Sequence, residues 1–235
     1  MSYNQIFNQH WTIYQKIIQD NYMGHREIYD MLQNFMQTRI RDCFSFLDIG
    51  CGDSQLISQY LEGSQIASYL GIDLSADALS IADKNLAQLN CDRALIHEDF
   101  DRAISQLLET GAGEFDVVFA GFSLHHVGES KKQDIMGKIY RLLRDRGIFL
   151  LIDVRREQQE TREDYLNRYL SWVGQQWHSL TPEEFAIVKN HARTSDFPET
   201  REILESMSAP SGFRSCQCLL EDSYHSNILL AYQKE

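Results

Sequence analysis

Apolar positions recur along this chain with two different periods, and the change of period separates predicted helices from predicted strands. Over residues 5–40 the apolar side chains are three and four positions apart, the spacing of one buried helix face. Gly24 interrupts this segment, so we expect two helices rather than one. The recurring positions are Ile6, Phe7, Trp11, Tyr14, Ile17, Ile18, Ile28, Met31, Leu32 and Phe35.

From residue 44 onward, short apolar runs alternate with amphipathic segments. The runs predict strands at 44–49, 69–72, 93–97, 115–120 and 147–154. The segments between them predict helices at 55–61, 76–89, 103–109 and 131–143. Near-continuous apolar strands that alternate with helices are typical of a parallel sheet covered on both faces. The pattern therefore predicts an α/β fold.

The last third of the chain departs from this alternation. Residues 155–209 are polar and helix-like, and they carry Tyr165, Tyr169, Trp172 and Trp177. Two more strands are predicted at 214–220 and 228–232, and the turn-like stretch between them favours an antiparallel pair. With no internal repeat, we expect one domain over residues 1–235. Its predicted parts are an N-terminal helical lid (1–40), a core (41–154), a helical cap insertion (155–209) and closing antiparallel strands (210–235).

The bulk composition argues against two classes of binding partner, nucleic acids and membranes. The 235 residues include 22 basic and 34 acidic side chains, a net charge of -12, and a uniformly acidic surface repels a phosphate backbone. A nucleic-acid partner is therefore disfavoured. The first residues lack a secretory signal pattern, and no run reaches the roughly 18 apolar residues of a membrane span. We expect a cytoplasmic protein, a monomer or homodimer, without a membrane partner.

The cysteines also favour a cytoplasmic protein. Cys43, Cys51, Cys91, Cys216 and Cys218 make an odd number without framework spacing, which favours reduced thiols. Cys216 and Cys218 share one face of a predicted strand, and the sequence offers them no partners for a metal site. We expect no bound metal.

The stretch "FLDIGCGDS" at residues 46–54 ends the first predicted strand in a turn with two glycines. Gly50 and Gly52 permit a tight turn and the close approach of a ligand to the backbone. The N-terminus of the following helix favours negative charge. Alone, this turn leaves the ligand open.

The ends of the other predicted strands add chemistry. Asp73 lies at the end of the second strand, 25 residues after Asp48, close to where nucleotide-binding folds place a ribose-binding acid. Ser75 is better placed than Asp73 to cap the helix at 76. After the third strand, Asp99 and Phe100 suit an adenine, with a carboxylate near its amine and a ring against the base.

These strand ends together resemble the class I S-adenosylmethionine-dependent methyltransferases. The motifs are "LDIGCGDS", "LGIDLS", "HEDF", "FDVVFAGFSLHHV" and "LLRDRGIFLLIDV", and the resemblance spans roughly residues 40–155. It implies a Rossmann-like, doubly wound, seven-stranded, mostly parallel sheet with an antiparallel last strand, plus N-terminal and late helical cap elements. In place of the family's third glycine this chain has Ser54.

The resemblance also implies a cofactor, S-adenosyl-L-methionine, which leaves as S-adenosyl-L-homocysteine. The methionine part would pass the glycine turn, which makes a nicotinamide dehydrogenase the weaker alternative. Asp73 would hold the ribose, Asp99 and Phe100 would flank the adenine, and Ala120 and Phe122 would line the methyl side. The implied cofactor-binding residues are Asp48, Gly50, Gly52, Asp73, Leu74, Asp99, Phe100, Ala120 and Phe122.

Methyl transfer is an in-line displacement that depends chiefly on alignment, and it needs a base only when the acceptor must lose a proton. His125 and His126 are candidate bases, although paired histidines here resemble those of many relatives whatever their substrate. Asp153, at the end of the fifth strand, is a candidate for orienting the acceptor.

A small-molecule acceptor under an aromatic lid is the leading interpretation, because a covered pocket suits a small ligand. The candidate acceptor-binding residues are Tyr14, Tyr22, His25, Tyr169 and Trp172. These aromatic side chains equally suit the packing of helices on the sheet. Methylation of tRNA or protein, and a non-catalytic cofactor-binding regulator, are the alternatives.

Overall fold

Seven strands form one sheet in a computed structural model that describes residues 3–111, 113–222 and 226–235. The strands are β1 Phe44–Ile49, β2 Ile66–Asp73, β3 Asp92–His97, β4 Phe115–Gly121, β5 Leu143–Val154, β6 Ser215–Glu221 and β7 Asn227–Gln233. Their order across the sheet is β3-β2-β1-β4-β5-β7-β6. The first five strands are mutually parallel, and β7 runs antiparallel between β5 and β6. The predicted sheet and its antiparallel last strand are confirmed.

Helices cover both faces of this sheet. They are α1 Tyr3–Gln19, α2 His25–Arg39, α3 Gln55–Leu61, α4 Ala76–Asn85, α5 Phe100–Thr110, α6 Glu129–Leu142, α7 Arg162–Gln176, α8 Pro182–Ser195, α9 Arg201–Ser206 and α10 Ser208–Ser211. As predicted, Gly24 separates the first two helices, with φ of 64°. The predicted positions Ile6 and Phe7 lie outside the residues whose side chains are described. None of the described helices has the length and hydropathy needed to cross a membrane.

Capping side chains explain where the helix boundaries differ from the prediction. Ser75 caps α4 as predicted, accepting the backbone N–H of Ala78 at 3.1 Å. Asp99 does the same for α5 by accepting the N–H of Arg102 at 3.1 Å, so this helix begins before residue 103. The predicted helix 76–89 ends early, and a 3-10 turn, Leu86–Gln88, completes it.

The sheet order reverses between β1 and β4, which both pair in parallel with their neighbours. In an open parallel sheet, ligands bind beyond the carboxyl ends of the strands at such a reversal. One hydrophobic cluster packs α5, α6 and α9 on one face, and another packs α2, α3 and α4 on the other. The crevice between β1 and β4 is therefore the place to look for a site.

A third hydrophobic cluster stands over the carboxyl edge of the sheet. It joins α1, α7 and α8 to Val154 at the end of β5, and Tyr165 and Trp177 are buried within it. Of the predicted cap insertion, only the helices up to about residue 195 belong to this cluster. Residues 201–209 pack elsewhere, because Leu204 and Met207 belong to the α5–α6 face of the sheet. The predicted cap boundary at 209 is corrected accordingly.

Candidate functional site

A groove of about 180 Å³ lies at the carboxyl ends of β1 and β4. Its floor is the turn after β1, and its far wall is the end of β4 with Phe119, Gly121 and Phe122. Helix α1 covers it, and the indole N–H of Trp11 donates to Asp53 Oδ2 at 2.8 Å. The groove therefore occupies the position that the fold assigns to a ligand.

The turn after β1 depends on left-handed backbone at alternate positions. Gly50, Gly52 and Ser54 have φ of 70°, 53° and 52°. A Cβ on Gly50 would meet Ser123 Cβ at 2.6 Å, whereas a Cβ on Gly52 meets no atom within 4 Å. Ser54 thus adopts the conformation that glycine favours, and its hydroxyl lies 3.0 Å from the hydroxyl of Tyr69. Serine in place of the family's third glycine therefore keeps the left-handed backbone at position 54.

Carboxyl groups dominate the chemistry of the groove. Asp48 is 2% exposed and accepts the hydroxyl of Tyr69 at 2.5 Å, and burial raises its pKa to about 7. Asp53 also lines the groove, whereas no lysine or arginine is among the described residues of its wall. Such a wall favours a ligand that carries positive charge and disfavours a diphosphate.

Asp73 sits beside this turn rather than in the groove wall. Its two carboxylate oxygens accept the N–H groups of Gly52 and Ser75, both at 2.8 Å. Burial raises the pKa of Asp73. The next residue, Leu74, is 61% exposed.

The other predicted cofactor-binding residues are placed less uniformly. Asp48, Gly50, Gly52 and Phe122 line the groove. Phe100 is half-buried against the α5–α6 core. One carboxylate oxygen of Asp99 accepts the hydrogen bond that caps α5.

Ala120 requires a correction. Side chains alternate across a strand, so Ala120 faces the core while Phe119 and Gly121 face the groove. Its side chain is fully buried and does not line the ligand side.

A second cavity, of about 270 Å³, adjoins the groove and shares Tyr14 and Phe122 with it. Aromatic side chains of Tyr169 and Trp177 contribute to its wall, and the remainder is mostly aliphatic. Phe122 has φ of 55°, a conformation that costs a non-glycine residue about 1–3 kcal/mol. This backbone holds the phenyl ring at the boundary between the two spaces.

One corner of this cavity is polar. His125 Nδ1 lies 2.5 Å from Asp153 Oδ1, and that carboxylate is itself buried. Burial works to lower the pKa of His125, but the carboxylate of Asp153 outweighs it and the pKa is raised. His126 Nδ1 lies 3.2 Å from the carbonyl oxygen of Ser195, and burial lowers its pKa to about 4.

Two further polar residues reach the same corner from α8 and its C-terminal cap, and the sequence did not predict them. They are His191 and Asp196. Burial raises the pKa of Asp196 to about 6. A histidine and an aspartate at the end of a polar helix carry no local signal of a site, since only the fold of the cap brings them to the cavity.

The five predicted acceptor-binding residues divide into three groups, of which His25 alone forms the last. Tyr14 and Tyr169 line the cavity. Tyr22 stacks on Trp177 with ring centroids 5.2 Å apart, and Trp172 packs edge-on to the same indole, so both support the wall from outside.

His25 lies behind the wall and does not line the cavity. It is buried, and its ring centroid is 5.3 Å from that of Phe122. Neither ring nitrogen has a hydrogen-bond partner among the described residues, and burial lowers its pKa to about 4.

Comparison with known proteins agrees with this geometry. Residues 47–149 match a family model described as a methyltransferase domain. An uncharacterized methyltransferase of Synechocystis sp. is 33% identical over 110 residues, which are 47% of this chain and 47% of that protein. A demethylmenaquinone methyltransferase of Leptospira interrogans is 32% identical over 127 residues, 52% of this chain and 49% of that protein. The chain thus spans about half the length of the curated relatives it matches.

Among solved structures, a plantazolicin methyltransferase, BpumL, solved in complex with SAH, superposes with a TM-score of 0.64 at 15% identity. The superposition covers 94% of this chain and 88% of that one. At this identity the likeness establishes the fold. The fold and the match over residues 47–149 agree: both make this chain similar to known methyltransferases.

Proposed function

We propose that this protein binds S-adenosylmethionine in the groove and methylates a small, mostly apolar acceptor in the adjoining cavity. The observation that carries the proposal is the meeting of a carboxylate-lined groove and an aromatic cavity at Tyr14 and Phe122. The SAH complex of the plantazolicin enzyme supports this assignment of the cofactor.

The residues of the groove fit the cofactor on chemical grounds. Asp48, Gly50 and Gly52 would hold the methionine part, since its ammonium and sulfonium groups are positive and the wall is acidic. Asp73 would bind the ribose, for which each of its oxygens keeps a lone pair beyond the one given to backbone N–H. When bound, the cofactor supplies the methyl group and its own thioether leaving group.

The adenine would lie beyond Asp73. The exposed side chain of Leu74 offers it an apolar surface, and Asp99 and Phe100 begin the next helix nearby. Phe122, together with Gly121 in place of Ala120, would line the methyl side.

The acceptor's nucleophilic atom would face the polar corner. His125 Nε2 accepts the proton that the acceptor loses, and the buried carboxylate of Asp153 holds the ring and stabilises the imidazolium. His126 packs on His125 with ring centroids 4.0 Å apart and closes the corner toward solvent. The aliphatic remainder of the wall excludes water from the reacting atoms.

Cofactor binding is tested by calorimetry with S-adenosylhomocysteine and with NAD. We expect heat only from the sulfur ligand, and Asp73→Ala should weaken its binding by about 1–3 kcal/mol, the cost of losing a hydrogen bond to a charged group. Asp145→Ala, an exposed carboxylate near the amino-terminal end of β5 and so at the opposite edge of the sheet, is the control. Binding of NAD alone, or unchanged affinity in Asp73→Ala, would contradict the proposal.

Methyl transfer is tested with radiolabelled cofactor and the probe acceptors 1-naphthol, indole and 1,4-dihydroxynaphthalene. The last probe is included because one relative is named a demethylmenaquinone methyltransferase. For any probe that is methylated, His125→Gln should lower the rate by about 10²–10⁴ while affinity for S-adenosylhomocysteine is unchanged. A variant that methylates at the wild-type rate would remove His125 from the mechanism.

A further inference from the structure

The polar corner of the acceptor cavity gathers more donor atoms than the uptake of one proton requires. His125 Nε2, His126 Nδ1 and His191 Nε2 lie 3.7, 3.7 and 3.8 Å from one atom, Asp196 Oδ1. These distances are too long for hydrogen bonds. Asp196 Oδ1 is buried and has no hydrogen-bond partner in the described part of the chain. Leaving such an oxygen unsatisfied costs about 1–3 kcal/mol or more, which points to a missing ligand.

We propose that this corner binds one divalent transition-metal ion, of which Zn²⁺ is the representative, through His125, His126 and Asp196. One ligand atom from each residue lies within 4.8 Å of the others. Bonds of about 2.0–2.2 Å in a tetrahedral site separate neighbouring ligand atoms by about 3.4 Å. The present 3.7 Å separations from Asp196 exceed this by a few tenths of an ångström, and His126 Nδ1 must also give up its 3.2 Å contact with the carbonyl oxygen of Ser195.

The residue behind His125 is arranged as metal sites require. Metal-binding histidines commonly donate their second ring nitrogen to a carboxylate, and His125 Nδ1 is paired with Asp153 in this way. Hydrogen bonds also hold the backbone at Asp196 and at His125. Arg162 Nε donates to the carbonyl of Asp196 at 2.6 Å, and the N–H of Phe197 donates to the carbonyl of His125 at 2.7 Å. The two segments that carry the ligands are thus tied directly to each other.

The donor set selects the class of ion. Two imidazoles and one carboxylate suit Zn²⁺, Co²⁺ or Fe²⁺, whereas Mg²⁺ and Ca²⁺ prefer oxygen ligands. Three protein ligands leave the fourth position for water, for the acceptor, or for His191, whose side chain is 49% exposed at the rim.

The ion and the acceptor's proton would use the same atom. His125 Nε2 cannot hold a metal ion and accept a proton at once. We therefore expect the ion-loaded enzyme to lose methyl transfer, an expectation that rests on the proposed function. The binding of the ion does not depend on that function.

The test is a titration of the chelator-treated full chain with Co²⁺, followed by its visible d–d absorption. We expect one ion per chain, displaced by Zn²⁺ and not by millimolar Mg²⁺. Asp196→Asn and His126→Gln should each weaken Co²⁺ binding at least about tenfold, and Asp153→Asn by about 10–100-fold. His178→Gln, an exposed histidine outside the cluster, is the control and should bind like the wild type.

Absence of a Co²⁺ spectrum, or wild-type binding in both Asp196→Asn and His126→Gln, would overturn the site. Asp196 is buried, so if Asp196→Asn does not fold, the more exposed His126→Gln carries the test. Zn²⁺ that binds as expected but raises methyl transfer would leave the site standing and refute His125 as the base. Methyl transfer that depends on His125 without any ion binding would refute the site alone.

Discussion

Replacing Asp48 by asparagine tests whether the carboxyl group at the end of β1 destabilises the ligand-free protein at neutral pH. Burial raises its pKa from 3.8 to about 7, against the weaker opposing effect of the Tyr69 hydroxyl. Between these two pH values the folded protein keeps a proton that the unfolded chain has released. The stability of the wild type therefore falls as pH rises from about 4 to about 7 and is level above that.

The size of the effect follows from the shift. Three pK units correspond to about 4 kcal/mol at pH 8, of which about 1.5 kcal/mol is already present at pH 5. Asparagine has the same shape, carries no charge and still accepts the hydroxyl of Tyr69. The free energy of unfolding of Asp48→Asn, relative to the wild type, should therefore rise by about 2–3 kcal/mol between pH 5 and pH 8.

The measurement is urea unfolding of both proteins at the two pH values, followed by circular dichroism. Asp116→Asn is the control, because the pKa of Asp116 is shifted in the opposite direction to that of Asp48. Burial works to raise the pKa of Asp116, but bonds from Ser45 and Arg144 lower it overall. This variant should lose stability equally at pH 5 and pH 8, because the carboxylate is ionised at both. An equal difference at the two pH values for Asp48→Asn would refute the reasoning.

Three further predictions concern the turn, a buried charge and the lid. In urea unfolding, Gly50→Ala should cost more than about 2 kcal/mol, because a left-handed backbone and a clash add, while Gly52→Ala, left-handed but unobstructed, should cost about 1 kcal/mol. Equal costs would contradict the clash. Lys132 is 1% exposed and paired with a buried glutamate, so Lys132→Met should cost about 3–5 kcal/mol, against less than about 1 for its exposed neighbour in Lys131→Met. A loss below about 1 kcal/mol in both variants would contradict the cost assigned to breaking the buried ion pair of Lys132. Trp11→Phe removes the indole donor that ties α1 to the turn, and limited proteolysis should cleave α1 faster without a change in the unfolding midpoint; an unchanged cleavage rate would show that other contacts hold the helix.

Local chemistry decided the features that the sequence predicted correctly. Strands β1 and β4 are runs of mostly apolar and mostly buried residues, a pattern that the sequence shows directly. Gly50 and Gly52 mark the turn because few other residues take a left-handed backbone without cost. Ser75 caps α4 through a bond to a residue three positions away, which the sequence alone specifies.

Sequence reasoning was incomplete where one residue type has two uses. Asp99 was assigned to a ligand, which stays a prediction, and in the fold it also caps α5. Ala120 stands in a motif that adjoins the site, but strand alternation turns its side chain into the core. Residues 201–209 continue the polar composition of the cap and yet pack on the sheet, since Leu204 and Met207 find apolar partners there.

By itself, then, the sequence determined the order of elements, the glycine turn and the acids at the strand ends, because each depends on residues a few positions apart. Only the tertiary structure decided that α8 returns over the carboxyl edge and sets His191 and Asp196 against His125 and His126. No local preference specifies a contact across some 70 residues of chain. The contact arises because α1, α7 and α8 bury their apolar faces together with Val154. This packing places the end of α8 beside His125 and His126.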